Sequence, residues 1–192
     1  MKLEDLRGWM TGEDCLVVAP GPSSRDHDYS QHWTVCCNRA CVYGEPDIVV
    51  CMEPARDPVW EVIHASAPYV VISHQPDTTN PRQHNRVVHM ACPDVLQWLK
   101  NEPIPGETLA WASSAFYGAA AACLLGFGKI GLIGVDLSAE RYTASSVAAA
   151  NARWQRLAQH APDRMVNLSP ESQLTAIPQG KWEQLKAKPA PS

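Results

Sequence analysis

Seven short apolar runs punctuate the chain, at residues 15–19, 34–38, 47–52, 69–73, 86–90, 129–136 and 164–168. Stretches such as CLVVA, DIVVCM and YVVIS are rich in β-branched residues and do not alternate between apolar and polar. A strand with one wet face alternates; a strand covered on both faces need not. Such strands require a layer on each side, and the intervening segments can supply it. Residues 58–66, 93–100, 113–125, 147–160 and 179–186 read as helices. Pro93 and Asp94 open the second of these, and Ser113 or Ser114 caps the third, which closes at Gly126. Strands alternating with helices predict an α/β fold, with a mostly parallel sheet flanked by helices. One domain is expected over residues 1–186, followed by a disordered tail, AKPAPS, at 187–192. The polar segment SHQPDTTNPRQHNR, residues 73–86, is expected to be a long surface loop of the kind that often serves as a lid.

Composition narrows the function classes. With 45% hydrophobic and 19% charged residues the chain has the balance of an ordinary globular protein. Its net charge of -4 provides no basic face for a nucleic-acid backbone. The longest apolar run, residues 115–127, is interrupted by Gly118 and Gly126 and is too short for a bilayer. The opening MKLEDLRGWM lacks the apolar stretch of a signal peptide, so a soluble, cytoplasmic protein is expected. Seven cysteines, at 15, 36, 37, 41, 51, 92 and 123, form no CxxC pair and no zinc spacing. Most lie in apolar runs, which predicts buried free thiols and assigns no metal ligands.

In an open parallel sheet ligands bind beyond the carboxyl ends of the strands. The unusual polar residues fall there. Gly21, Pro22 and Ser23 follow the first strand, Asn38 closes the second, Glu53 follows the third, Ser73 and His74 follow the fourth, and Asp136 closes the sixth. Gly21 lacks a Cβ and permits close backbone approach. Ser23 and Ser24 offer hydroxyls and N–H groups to phosphate oxygens, and Ser113 and Ser114 stand where a helix N-terminus favours an anion. Each feature also has a plainer role: a turn, an N-cap, a satisfied loop amide. Their joint placement at one end of the sheet points to a nucleotide site. No G-x-G-x-x-G follows the first strand and no acid closes the second, so a dinucleotide-dependent dehydrogenase is not expected.

Two blocks, VVAPGPSSRDHDYSQHWTVCCNRA (17–40) and SSAFYGAAAACLLGFGKIGLIGVDLS (113–138), carry a resemblance. In order, they show A-P-G-P-S, C-C-N, S-S, L-G-F-G-K-I and G-V-D. This resembles a superfamily that includes the glycosyltransferase family 42 sialyltransferases. The same superfamily includes the domain-of-unknown-function-115 group, with motility accessory factors and 6-hydroxymethylpterin diphosphokinase (MptE-like) proteins. Small stand-alone members are often bacteriophage-encoded. The closing VNLSPESQL, residues 166–174, is similar to the last strand and loop of that group. The resemblance implies a Rossmann-like, nucleotide-binding domain. By motif position it places Gly21, Pro22, Ser23, Asn38, Ser113 and Ser114 on the nucleotide and Asp136 near the sugar and acceptor end. The sialyltransferase histidine base has no counterpart in register, since His160 falls inside a helix. Tyr142 is a candidate participant.

Three readings follow. The first is a nucleotide-dependent, glycosyltransferase-like transferase with a CMP-type donor and a small-molecule or glycan acceptor, needing no metal. The second is a diphosphokinase using ATP and Mg²⁺, with Asp136 and Glu53 as ligands. The third is a nucleotide-binding module without catalysis. Apolar helices on a domain of this size are also compatible with a homo-oligomer.

Overall fold

A computed structural model describes residues 3–43, 46–53, 57–66, 70–73, 87–89, 113–138 and 142–190. Seven parallel strands form one sheet: β1 (Cys15–Val18), β2 (Trp33–Cys37), β3 (Ile48–Cys51), β4 (Val70–Ser73), β5 (Val87–His89), β6 (Ile130–Ile133) and β7 (Met165–Asn167). Their order is β5-β4-β3-β2-β1-β6-β7, with every neighbouring pair parallel. The expected α/β, Rossmann-like architecture is therefore present. The predicted strands all form, most of them one or more residues shorter than their apolar runs.

The lack of alternation has its expected cause. In β1, Cys15 and Val17 join one core cluster while Leu16 and Val18 join another on the opposite face, and all four are fully buried. Helix α1 (Val59–Ser66) supplies Val59, Trp60 and Ile63 to the second cluster. Helices α2 (Ser114–Leu125) and α3 (Ala144–His160) belong to the first. Helix α2 is buried on every side from Ala115 to Leu125, as befits a helix without a polar stripe. It lies close on the sheet because Gly118 has no side chain. A Cβ there would stand 2.7 Å from Cys37 Sγ and 3.1 Å from Val17 Cγ1. Trp154 of α3 covers the helix, edge-on to Phe116 at 5.5 Å.

The capping signals of α2 hold. Ser113 is its N-cap, accepting from Phe116 N–H, and Gly126 closes it in the left-handed region at φ +91°. Helix α3 starts at Ala144, earlier than its alanine-rich stretch suggested, because Thr143 caps it by accepting from Ser146 N–H. The last predicted helix is only a 3-10 turn, Trp182–Gln184. The segment 93–100 lies outside the described residues.

Lys188, in the segment expected to be a disordered tail, has partners on the domain. Lys188 N–H donates to Gln31 O at 2.7 Å, its ammonium pairs with the buried Asp47, and it sits 4.3 Å from the centre of the Trp33 ring. A lysine in a proline-rich terminus looks like solvent-facing charge, and only the fold brings an unneutralised buried carboxylate beneath it. Asp14, also buried, accepts from Lys129 N–H and Lys186 N–H. These contacts tie the amino-terminal ends of the strands, leaving the carboxyl ends open.

Candidate functional site

The sheet order reverses at β1. The chain runs outward through β2 to β5, then returns to pair β6 with the other side of β1. Beyond the carboxyl ends of the strands at such a point a crevice commonly forms. Here it measures about 380 Å³. Gly21 and Pro22 from the β1 loop line it, as do Asn38 after β2, Met52 and Glu53 after β3, and Ser113, Ser114 and Ala115 at the start of α2. Gly134, Val135, Asp136 and Leu137 after β6 complete it with Tyr142.

The two central loops are fastened to each other. Gly21 N–H donates to Gly134 O at 3.0 Å. A Cβ on Gly21 would fall within contact distance of that oxygen and 2.5 Å from Asp136 Oδ2. Gly21 has ordinary extended dihedrals, φ -71° and ψ 162°, so its glycine is needed for space and not for conformation. Gly134 needs both, having φ +78° and a Cβ position overlapping Ala19 O. The close approach anticipated at Gly21 is thus made, in this structure, to the β6 loop.

Ser23 points into the same junction. Its N–H donates to Asp136 Oδ2 at 3.0 Å, and its hydroxyl donates to Asp136 Oδ1. The hydroxyl oxygen accepts from Gly134 N–H at 3.1 Å and lies 2.8 Å from Ser169 Oγ. Ser169, fully buried, also accepts from Gly134 N–H at 3.0 Å. Both Asp136 oxygens are therefore engaged by the β1 loop, through the N–H and the hydroxyl of Ser23. Ser24 is buried and donates to Gly21 O at 2.7 Å. The closing block adds a further tie, with Gln173 N–H donating to Asp136 O at 3.0 Å.

Asn38 links β2 to β3. Its Nδ2 donates to Glu53 Oε1 at 2.8 Å, and its Oδ1 faces Met52 N–H at 3.4 Å. Reversing the amide would set oxygen against carboxylate and nitrogen against an N–H, so the orientation is fixed by its partners. The backbone there has φ +50°, a left-handed conformation that asparagine tolerates better than most residues.

Helix α2 presents its amino end to the crevice. The N–H groups of Ser114 and Ala115 precede the first intrahelical bond and meet no acceptor among the described residues. The Ser114 hydroxyl is likewise without a protein partner there, while that of Ser113 accepts from Phe116 N–H at 3.4 Å. Unpaired donors at the positive end of a helix dipole form a receptor for an anion.

Tyr142, 37% exposed, lines the crevice. Ser73 is fully buried at the end of β4 and does not line it, and His74 lies outside the described residues. Sequence reasoning missed three contributors. Ser169 was hidden inside a block noted only as a whole, and Gly134 between Ile133 and Val135 looked like a strand residue. Leu137, buried yet held at φ +50°, gives no sequence signal, because leucine is an improbable residue for that conformation. The cysteines behave as expected: the six described are free and buried, and burial raises the thiols of Cys41 and Cys51 to about 12.

The chain is an α/β protein with a crevice at the reversal point of a parallel sheet. No protein-family model and no curated protein matches the sequence. Solved structures share the fold. The sialyltransferase CstII from Campylobacter jejuni, in complex with the substrate analogue CMP-3FNeuAc, aligns with a TM-score of 0.56. The alignment has 16% identity over 87% of this chain and 84% of that one. A second CstII structure, with cytidine-5'-monophosphate, gives 0.55 at 16% over 86% and 84%. The MAf glycosyltransferase from Magnetospirillum magneticum AMB-1 gives 0.61 at 17% over 95% of this chain. This chain spans only 36% of that larger protein. No described helix is long and apolar enough to cross a membrane.

Proposed function

We propose that the crevice binds a nucleotide and that the chain is a glycosyltransferase-like transferase using a CMP-type sugar donor. The observation that carries this reading is the amino end of α2, where the N–H groups of Ser114 and Ala115, without an acceptor among the described residues, stand at a crevice at the reversal point. The two CstII structures, whose ligands are CMP and a CMP-sugar analogue, support the choice of nucleotide.

In this account the phosphate of the donor sits at Ser113, Ser114 and Ala115. When the sugar–phosphate bond breaks, negative charge grows on the departing nucleoside monophosphate. Donors already aimed at that charge lower the barrier without reorganisation. Gly21 and Pro22 form the rigid wall beneath it, and the Asn38–Glu53 pair closes the far side. Tyr142 is the exposed group available to the acceptor end. Asp136 acts through Ser23: it holds the β1 loop in register and is a positioning residue.

The diphosphokinase reading gains less support. A magnesium site needs carboxylate oxygens free to ligate. Asp136 spends both of its own on Ser23, and Glu53 shares one with Asn38. No group of three or more His, Cys, Asp or Glu suited to a metal occurs among the described residues. These residues do not fit the ion.

A melting-temperature panel with CMP, CDP, UMP and ATP, each with Mg²⁺ and with EDTA, tests the reading. A ligand at a hundred times its Kd adds about 2.7 kcal/mol of stability. At roughly 2–4 °C per kcal/mol for a chain of this size, the melting point should rise about 5–10 °C. CMP should give that rise in EDTA. A rise with ATP that requires Mg²⁺ would favour the diphosphokinase, and no rise with any nucleotide would overturn both. Release of CMP from a CMP-sugar on adding acceptor separates the transferase from a binding module.

A further inference from the structure

We infer that the loop after β6 is a second oxyanion receptor in the crevice, built from consecutive backbone N–H groups; the inference rests on the nucleotide reading above. Val135, Asp136, Leu137 and Ser138 all line the crevice. Their N–H groups meet no acceptor among the described residues. Three carbonyls of the same loop are taken. Val135 O accepts from the Ser172 hydroxyl, Asp136 O from Gln173 N–H at 3.0 Å, and Ser138 O from Tyr142 N–H at 3.0 Å. The loop thus has its acceptors filled and its donors open. Val135 is 4% and Leu137 6% exposed, and backbone donors in such buried residues are rarely left without a partner.

The backbone gives an independent indication. Leu137 is held at φ +50°, while Asp136 and Ser138 lie outside the left-handed region. Such alternation gathers successive N–H groups into an anion-binding concavity. Leucine enters that region at a cost a glycine would not incur. Two anchors hold it there: its side chain belongs to the core cluster beneath α2, and the preceding Asp136 is bonded to Ser23 through both carboxylate oxygens. Strain maintained in this way at a crevice points to a role in binding. An oxyanion suits the donors, because each phosphate or carboxylate oxygen accepts more than one N–H and the bonds are charge-assisted. A neutral carbonyl would leave part of the set unpaired. The opposing charge is that of Asp136, which the two hydrogen bonds from Ser23 offset in part. The oxyanion is either the phosphate of the nucleotide or an acidic group on the sugar it carries.

The test follows the amide resonances of Val135 to Ser138 while cytidine, CMP, or CMP linked to a carboxylate-bearing sugar is added. Shifts with CMP and not with cytidine place the phosphate on the loop. Shifts that appear only with the CMP-linked acidic sugar place its carboxylate there. Either result supports the inference. Binding is then measured by calorimetry after replacing Leu137 with its α-hydroxy acid, which keeps the side chain and exchanges the N–H for oxygen. The ligand that shifts the loop should bind roughly tenfold or more weakly, with cytidine binding unchanged. The melting temperature without ligand shows whether the ester protein is folded; if it is not, the resonance titration decides. Shifts at Ser114 and Ala115 with none at Val135 to Ser138 overturn the inference and leave the nucleotide reading standing. So does equal binding by a folded ester protein. If none of the three ligands binds the unaltered protein, the nucleotide reading fails and the inference with it.

Discussion

Replacing Gly21 by alanine tests whether the crevice floor is built by two loops in direct contact. The added Cβ would fall on Gly134 O and 2.5 Å from Asp136 Oδ2. Neither neighbour can yield easily. Gly134 O is a backbone acceptor already bonded to Gly21 N–H, and the Asp136 carboxylate is pinned by Ser23. Overfilling a packed site costs about 1–3 kcal/mol. The backbone at Gly21 is extended, so alanine brings no dihedral penalty there. It should recover roughly 0.4–1 kcal/mol by restricting the unfolded chain. The net loss is about 1–2 kcal/mol, or roughly 2–8 °C in melting temperature. Urea denaturation should show a lower midpoint with an unchanged slope, the mark of lost stability and not of a changed unfolded state. Gly134→Ala should lose more, because its φ of +78° adds a conformational cost of roughly 1–2 kcal/mol to the clash. If Gly21→Ala is as stable as the parent, or if Gly134→Ala is the milder change, the two loops are not in the contact described.

Asp136→Ala removes the acceptor of both Ser23 donors and should destabilise by about 2 kcal/mol, with weaker CMP binding; an equally stable variant with lost turnover would instead make Asp136 a catalytic group. Lys188→Met leaves Asp47, only 4% exposed, without its cation; because Lys188 is itself 28% exposed the expected loss is reduced to about 1–3 kcal/mol, read by denaturation. Thiol labelling of the native protein near pH 8 should be slow at the six described cysteines, which burial keeps protonated and inaccessible, and should become complete on unfolding. The same thiols set an alkaline limit. Burial raises Cys123 to about 11 and Cys41 and Cys51 to about 12 against 9.0 for an ordinary thiol. Their contribution is fully present below about pH 9 and is lost as pH climbs through 11–12, so the denaturation midpoint should fall over that window.

The architecture was legible because it rests on patterns that burial imposes. Strands such as Cys15–Val18 must be apolar on both faces, and Ser113 and Gly126 mark the ends of α2 by backbone chemistry alone. The crevice was legible in outline because Gly21, Pro22, Ser23, Asn38, Glu53 and Asp136 all fall at or just beyond the carboxyl ends of apolar runs. Which partner each polar residue would meet was not legible. Ser23 and Asp136 stand 113 positions apart, and Ser169 joins them from just beyond the last strand. No local spacing predicts that a hydroxyl suited to phosphate will be spent on a carboxylate. Nor does spacing predict that Lys188 will pair with Asp47, 141 positions away.

The central claim is that the amino end of α2 receives the phosphate of a nucleotide. It is tested most directly by following backbone amide resonances while CMP is added in EDTA. The account predicts saturable shifts at Ser114 and Ala115, together with Gly21 and Asn38, fitting one dissociation constant. Shifts that cluster away from these residues, or none at any CMP concentration, would contradict it.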